Sequence, residues 1–349
     1  MFFASDNWAG AHPLIAESLT RAAVGHAAAY GTSDLDQRVE QRFAEIFQHE
    51  VAVFFVGTGT AANSLALASV LRPGGVAFCH SEAHVIADEC GAPEFMTGSA
   101  RLVAVEGPNG KLDPAALKTA VGRFPSDAVH QGRAMAITLT QATEMGTVYG
   151  LDEIETIASI AQNSNLPLHM DGARFANALV ALNTSPAEMT WKRGVDILSF
   201  GGTKNGCWCA EAILFFKPEL AAEMPFIRKR SAQLFSKTRF ISAQLEAYFE
   251  GGLWLDLARN ANRNADRLRT GIAAAPRGRI AWATQSNEVF AVIDKQAADQ
   301  ATEKGARFYE WPQPKELPGL TKEGETLIRL VTSFSTTEAE VEDFLALLA

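Results

Sequence analysis

The sequence predicts an α/β fold, in which a mostly parallel sheet is covered by helices on both faces and a small α+β domain follows at the C-terminal end. Three observations predict it. Apolar runs of strand length alternate with stretches of helical period ahead of Pro218. Glycines cluster where such runs end, as at Gly57-Thr58-Gly59 and Gly201-Gly202. Beyond Pro218 the alternation gives way to a long helical pattern and then a few strands. Strands separated by helices pair in parallel, because a parallel pair needs a long crossover and a hairpin turn cannot supply one.

The elements follow in order. Ser33 reads as an N-cap, and Leu35, Val39, Phe43 and Phe47 then repeat every four residues on one helix face. Residues 51–56 form a continuous apolar strand that turns through glycines into a helix over 61–71. Pro73-Gly74-Gly75 ends that helix, and 76–79 resume as a strand. His84 opens a helix-like stretch. Asp113-Pro114 starts another helix, with Asp as cap and Pro at the first helical position. A strand over 134–139 and a helix over 152–161 precede two further strands, 166–170 and 196–200. Residues 224–273 are mainly helical, with a break at Gly251-Gly252. Strands over 280–284 and 289–293, a helix over 297–304, a strand over 326–334 and a helix starting near 336 complete the pattern. No internal repeat is present.

Bulk properties exclude several classes. The 349 residues are 47% hydrophobic and 20% charged, inside the ordinary globular range. A net charge of −9 argues against electrostatic binding of nucleic acid. Met1-Phe2-Phe3-Ala4-Ser5-Asp6 has no basic region, so no signal peptide is expected. No run reaches the roughly 18 apolar residues of a membrane span, so a cytoplasmic protein without membrane contact is expected. Four cysteines make no disulfide framework in so long a chain. Cys207-Trp208-Cys209 lacks a second cluster, so two buried thiols on a strand are expected there, with no metal site.

The chemistry lies at two strand ends. One strand ends in His169-Met170-Asp171-Gly172-Ala173-Arg174, and the other in Ser199-Phe200-Gly201-Gly202-Thr203-Lys204-Asn205. In a parallel sheet both ends fall where ligands bind, beyond the carboxyl edge. An acid at one end and a lysine just past the other is what pyridoxal phosphate requires. The amine condenses with the aldehyde, and the carboxylate keeps the pyridine nitrogen protonated, without which the ring is a poor electron sink. Gly57-Thr58-Gly59-Thr60-Ala61-Ala62-Asn63 lies between a strand and a helix, so its backbone N–H groups and the helix dipole suit a phosphate. It is neither a Walker loop nor a dinucleotide fingerprint. Arg174 follows the Asp171 turn, and Arg329 interrupts the apolar Ile328-Arg329-Leu330, where a charge is costly to bury without a partner. Either guanidinium can take a carboxylate through its fork, and an internal salt bridge is the alternative. His169, two before Asp171, reads either as a neighbour supporting the site or as a satisfied core histidine.

These stretches, with Ser5-Asp6-Asn7, Ala29-Tyr30-Gly31 and His84-Val85-Ile86-Ala87-Asp88-Glu89-Cys90-Gly91, run in one order from end to end. The chain resembles the low-specificity L-threonine aldolases, of the fold type I (aminotransferase-like) pyridoxal phosphate enzymes. The resemblance implies an N-terminal arm over 1–14 that contributes to the active site, a large cofactor-binding domain over 15–245 and a small domain over 246–349. It implies that Lys204 carries the cofactor, that Asp171 holds the pyridine nitrogen, and that His84 stacks on the ring, with His80 the alternative. Gly59, Thr60, Ala173 and Thr203 join the cofactor site. Ser5, Arg174 and Arg329 form the carboxylate clamp, and Tyr30 lies in the cleft near a subunit boundary. Of the basic stretch Arg228, Lys229, Arg230, Lys237 and Arg239, Lys229 and Arg239 are the residues taken to reach a neighbouring subunit's phosphate.

The activity implied is retro-aldol cleavage of L-threonine, L-allo-threonine and related β-hydroxy-α-amino acids such as phenylserine to glycine and an aldehyde, by a homodimer or homotetramer with composite sites. One departure is visible. Some members carry a second histidine where this chain has Glu144, so the base is His84, Glu144 or a water. A β-eliminating lyase, an aminotransferase or a non-catalytic pyridoxal phosphate-binding protein are the alternatives on the same scaffold.

Overall fold

The computed structural model describes residues 1–314 and 317–349. Among the described residues seven strands form the large sheet: β1 (Ala52–Val56), β2 (Gly75–His80), β3 (Arg101–Val105), β4 (Arg133–Thr140), β5 (Leu168–Gly172), β6 (Ile197–Gly201) and β7 (Glu211–Phe215). Their spatial order is β1-β7-β6-β5-β4-β2-β3. The run from β6 through β5, β4 and β2 to β3 is parallel, and β7 is antiparallel to both its neighbours. Four strands among the described residues form a second, antiparallel sheet: β8 (Gly278–Ile280), β9 (Glu288–Asp294), β10 (Tyr309–Glu310) and β11 (Glu325–Val331), in the order β10-β11-β9-β8.

Local signals account for most boundaries. Ser33 caps the helix Asp34–Phe47 in a reciprocal box with Asp36. Asp113 Oδ1 accepts the N–H of Ala116 at the start of the helix Pro114–Gly122. Two expectations fail. The strand expected over 280–284 is present only as Gly278–Ile280, because the chain then turns Trp282 inward, where it stacks on Phe290 at 4.5 Å and donates to the Met145 carbonyl. Cys207 and Cys209 lie in a turn ahead of β7, not on a strand, and only Cys207 is fully buried. Gly206 takes φ +111°, and Gln244 Oε1 accepts the N–H groups of Trp208 and Cys209, which removes them from any ladder.

Beneath the end of β6, Phe200 packs against Phe43, Phe175, Phe249 and Trp254 in one aromatic cluster. The long helix Leu253–Ala274 packs on the helix Phe175–Leu182 and on β8, so it joins both sheets. Phe3 is buried in the core of the second sheet, and its backbone bonds to Arg307 and Val331. Among the described residues no helix is long and apolar enough to cross a membrane.

The glycine pair after β6 is needed for close approach. A Cβ at Gly201 would lie 2.5 Å from the Ala173 carbonyl oxygen, and one at Gly202 would lie 2.6 Å from the Ala210 carbonyl oxygen. Neither contact can relax without moving backbone. Gly201→Ala is therefore expected to cost about 1–3 kcal/mol through overpacking. Urea unfolding checks it: the midpoint should fall while the slope holds, and an unchanged midpoint would mean that the strand ends are not pressed together.

Candidate active site

A cavity of about 450 Å³ opens at the carboxyl edge of the large sheet. Asp171 enters it from the end of β5, and Thr203 and Lys204 enter from the turn after β6. The turn is fixed by Asn205, whose side-chain amide donates to the Tyr248 hydroxyl and to the Trp254 carbonyl. Among the described residues Lys204 is the lysine that lines the cavity.

Asp171 is buried and oriented on both sides. Asn63 Nδ2 donates to its Oδ2 at 2.9 Å, and the Ala173 N–H donates to its Oδ1 at 3.0 Å. The same Nδ2 donates to Glu89 Oε1 at 2.8 Å, so one amide lies between two carboxylates. Glu89 Oε1 is also 2.9 Å from His84 Nδ1. This contact raises the pKa of His84, burial opposing it, and burial raises that of Glu89. Glu211, at the start of β7, accepts the N–H of Thr203, and burial pushes its carboxyl up to about 7.

The helix Gly59–Val70 points its N-terminus into the cavity through Gly59 and Thr60. The first N–H groups of a helix have no partner inside it. Thr58 caps the N–H of Ala61, and a Cβ at Gly59 would stand in open space. Gly57 is packed instead: a Cβ there would meet Phe235 at 2.9 Å and Cys209 Sγ at 3.2 Å.

Seven of the expected site residues, Gly59, Thr60, His84, Asp171, Ala173, Thr203 and Lys204, line this cavity. The other six do not. Tyr30 is half exposed on the surface, with Lys229 Nζ 5.2 Å above its ring, and Arg239 Nη1 donates to the Gly25 carbonyl. Ser5 Oγ caps the N–H of Asn7. Arg174 is buried against Asp6, to which Nε and Nη2 donate at 2.8 and 3.1 Å. Arg329 lies over the Trp311 ring at 4.3 Å. The two arginines meet at Glu288, with Nη1 of Arg174 3.4 Å from its Oε2 and Nη1 of Arg329 3.8 Å from its Oε1. Burial would raise Asp6, but the charges of Arg174 and then Lys204 hold its carboxyl below the usual range, which ties this cluster to the cavity.

His169 is a satisfied core histidine. Its ring nitrogens contact the Thr138 and Ser199 hydroxyls at 2.7 and 2.9 Å, and burial lowers its pKa to about 3. His80 is held by the Gly107 carbonyl and the Glu82 N–H and does not line the cavity. Sequence reasoning assigned no role to Asn63, Glu89 or Glu211. A polar residue at the inner face of an otherwise apolar helix is the signal that could have found Asn63, and an acid opening an apolar strand the one for Glu211; Glu89 lies in the bend after the helix His84–Ala87 and carries no such signal.

The residues fit pyridoxal phosphate. The donor set holds one amine, one buried and oriented carboxylate, and a helix N-terminus whose glycine leaves space for an anion. Lys204 would hold the aldehyde carbon, Asp171 the ring nitrogen, and residues 58–60 the phosphate.

If Glu89 raises the pKa of His84, then Glu89→Gln should lower the midpoint of the His84 imidazole. The wild-type ring should stay protonated to a higher pH than an ordinary histidine, and the variant should lose that proton earlier. Histidine NMR titration reads both. Equal midpoints would mean that the pair is not ionic in solution.

The family model of the beta-eliminating lyases matches residues 3–296. A low specificity L-threonine aldolase from a Pseudomonas species is 39% identical over 344 residues, covering 99% of this chain and 96% of that protein. The protein of the same name from Pseudomonas aeruginosa is 41% identical over 307 residues, 88% of each. A solved structure of the threonine aldolase of Leishmania major superposes with a TM-score of 0.91 at 26% identity, over 99% of this chain and 98% of that one. With matches of this length in both sequence and fold, the chain belongs to the beta-eliminating lyase family, and within it to the group that holds the low specificity L-threonine aldolases.

Proposed function

We propose that the chain cleaves L-threonine, L-allo-threonine and related β-hydroxy-α-amino acids to glycine and an aldehyde, using pyridoxal 5′-phosphate. The observation that carries this reading is the meeting of Lys204 with an Asp171 carboxylate oriented by Asn63 in one cavity, in a chain whose near-full-length relatives are named for that activity. When bound, the cofactor supplies the sink that accepts the electron pair of the breaking Cα–Cβ bond.

The chain's own residues do the rest. Lys204 anchors the cofactor through its amine. Asp171 holds a proton on the pyridine nitrogen. Asn63 keeps that carboxylate in place and separates it from Glu89. His84 stacks on the ring; its Nδ1 is engaged by Glu89, so that above its raised midpoint, where the imidazole is neutral, Nε2 is left to take the proton of the substrate β-hydroxyl. Glu144 and a water are the other candidate bases. Ser5, Arg174 and Arg329 orient the substrate carboxylate, and with it the bond that breaks.

Tyr30, Lys229 and Arg239 stand outside this chain's cavity, which suits a role at the site of a second copy. A homodimer is then the smallest active unit, and a dimer of dimers the final assembly. Light scattering on the active protein checks this; a fully active monomer would remove these three residues from the site.

The decisive experiment is a product analysis of the cofactor-loaded protein with a panel of amino acids. L-Threonine and L-allo-threonine should yield glycine and acetaldehyde. Lys204→Ala should lose nearly all of this turnover, and after borohydride reduction the label should map to Lys204. Ammonia with a keto acid would assign a β-eliminating lyase, amino transfer to a keto acid an aminotransferase, and no product from any amino acid a binding protein.

A further inference from the structure

One buried carboxylate, between Arg174 and Arg329, has no task in the chemistry above. Glu288 opens β9 and is fully buried. Charged groups from four other segments act on it: Asp6 from the arm, Glu144 from the segment after β4, Arg174 from the turn after β5 and Arg329 from β11. Its oxygens lie 3.4 Å from Arg174 and 3.8 Å from Arg329, and neither accepts a hydrogen bond from any described residue. A buried carboxylate ordinarily gathers donors. Burial, working against the attraction of Arg174, pushes Glu288 up to about 7.

Asp6 is built differently. It accepts two hydrogen bonds from Arg174 and a third from Asn287 Nδ2 at 3.1 Å. While both acids are ionised they balance the two arginines, and Glu144 adds further negative charge. The substrate carboxylate arriving among these groups brings an excess of buried negative charge, and one acid must give way. Protonating Asp6 would weaken three hydrogen bonds. Protonating Glu288 weakens none.

We propose that Glu288 is a yielding counterion of the substrate-carboxylate site. Above neutrality it is ionised when the site is free, takes up one proton from solvent as the substrate carboxylate meets Arg174 and Arg329, and returns it when the product leaves. This rests on the reading of the two arginines as the carboxylate clamp. Glu288 is thus a positioning residue that sets the charge available to substrate without touching the reacting atoms. Above neutrality, affinity for a carboxylate ligand should fall by up to about tenfold per pH unit.

The test is calorimetry on the cofactor-loaded enzyme, with glycine and with methylamine, which has the amine but no carboxylate. Titrations in buffers of different ionisation enthalpy count the protons taken up. At about pH 8.5, well above neutrality, glycine should take up close to one proton more than methylamine. Glu288→Gln, a neutral mimic of the protonated acid, should bring that difference close to zero and flatten the pH dependence of glycine affinity. Equal counts for the two ligands in the wild type would overturn the proposal without recourse to any variant. Arg329→Gln separates the two readings. If it leaves glycine affinity unmoved, the clamp fails and the proposal falls with it. If it weakens glycine tenfold or more while the proton counts are equal, the clamp stands and the role of Glu288 is refuted.

Discussion

The site depends on a contact between two pieces of backbone. The end of β6 passes so close to the residue after β5 that a side chain at Gly201 would overlap the Ala173 carbonyl. Two parallel neighbours, in register with Asp171 opposite Ser199, therefore converge where they leave the sheet. Convergence brings the turn Thr203–Asn205 beside the Asp171 carboxylate, and the Asn205 amide then fastens that turn to Tyr248 and Trp254. The aromatic cluster around Phe200 stiffens the strand that delivers it. Acid and lysine are thus placed by sheet geometry before any ligand is considered, as preorganisation demands.

Around this centre the charges are mainly negative and mainly buried. Glu89, Asp171 and Glu211 line the cavity with one lysine, and Asp6 and Glu288 lie against Arg174, with Glu288 also facing Arg329. Burial costs a carboxylate its hydration, so each acid has either a donor or a raised pKa. Asn63 illustrates the first solution, with one amide nitrogen shared between Glu89 and Asp171. Glu211 illustrates the second: Thr203 donates to it, yet burial still pushes its carboxyl up to about 7. A surplus of acid suits the amine and the protonated ring of the function proposed above.

Much of the arrangement was legible in the sequence because it was local. An apolar run, a glycine pair and a lysine lie within a few residues of each other, and so do the cap at Ser33 and the helix it starts. The cost of a lone arginine in the apolar strand around Arg329 was legible too. What covered it was not. Trp311 and Glu288 lie on different segments, and their meeting depends on the register that sets Arg329 opposite Phe290. Asp6 shows the same limit. Its partner Arg174 is 168 residues away, and no periodicity links the two. The strand expected over 280–284 failed for a related reason: Trp282 is apolar enough to read as sheet, yet its indole N–H needed the Met145 carbonyl and drew the chain away.

The N-terminal arm carries a consequence of its own. Phe3 is locked into the second sheet by backbone bonds to Arg307 and Val331, while Asp6 grips Arg174 and Asn7 borders the cavity. At about 3.5 Å per residue, the stretch from Phe3 to Asn7 spans no more than about 14 Å. So short a tether has almost no slack. Any rocking of the second sheet against the first must pull on the acid that grips Arg174, which makes these few residues a mechanical link between the motion of one sheet and the charge balance at the edge of the other.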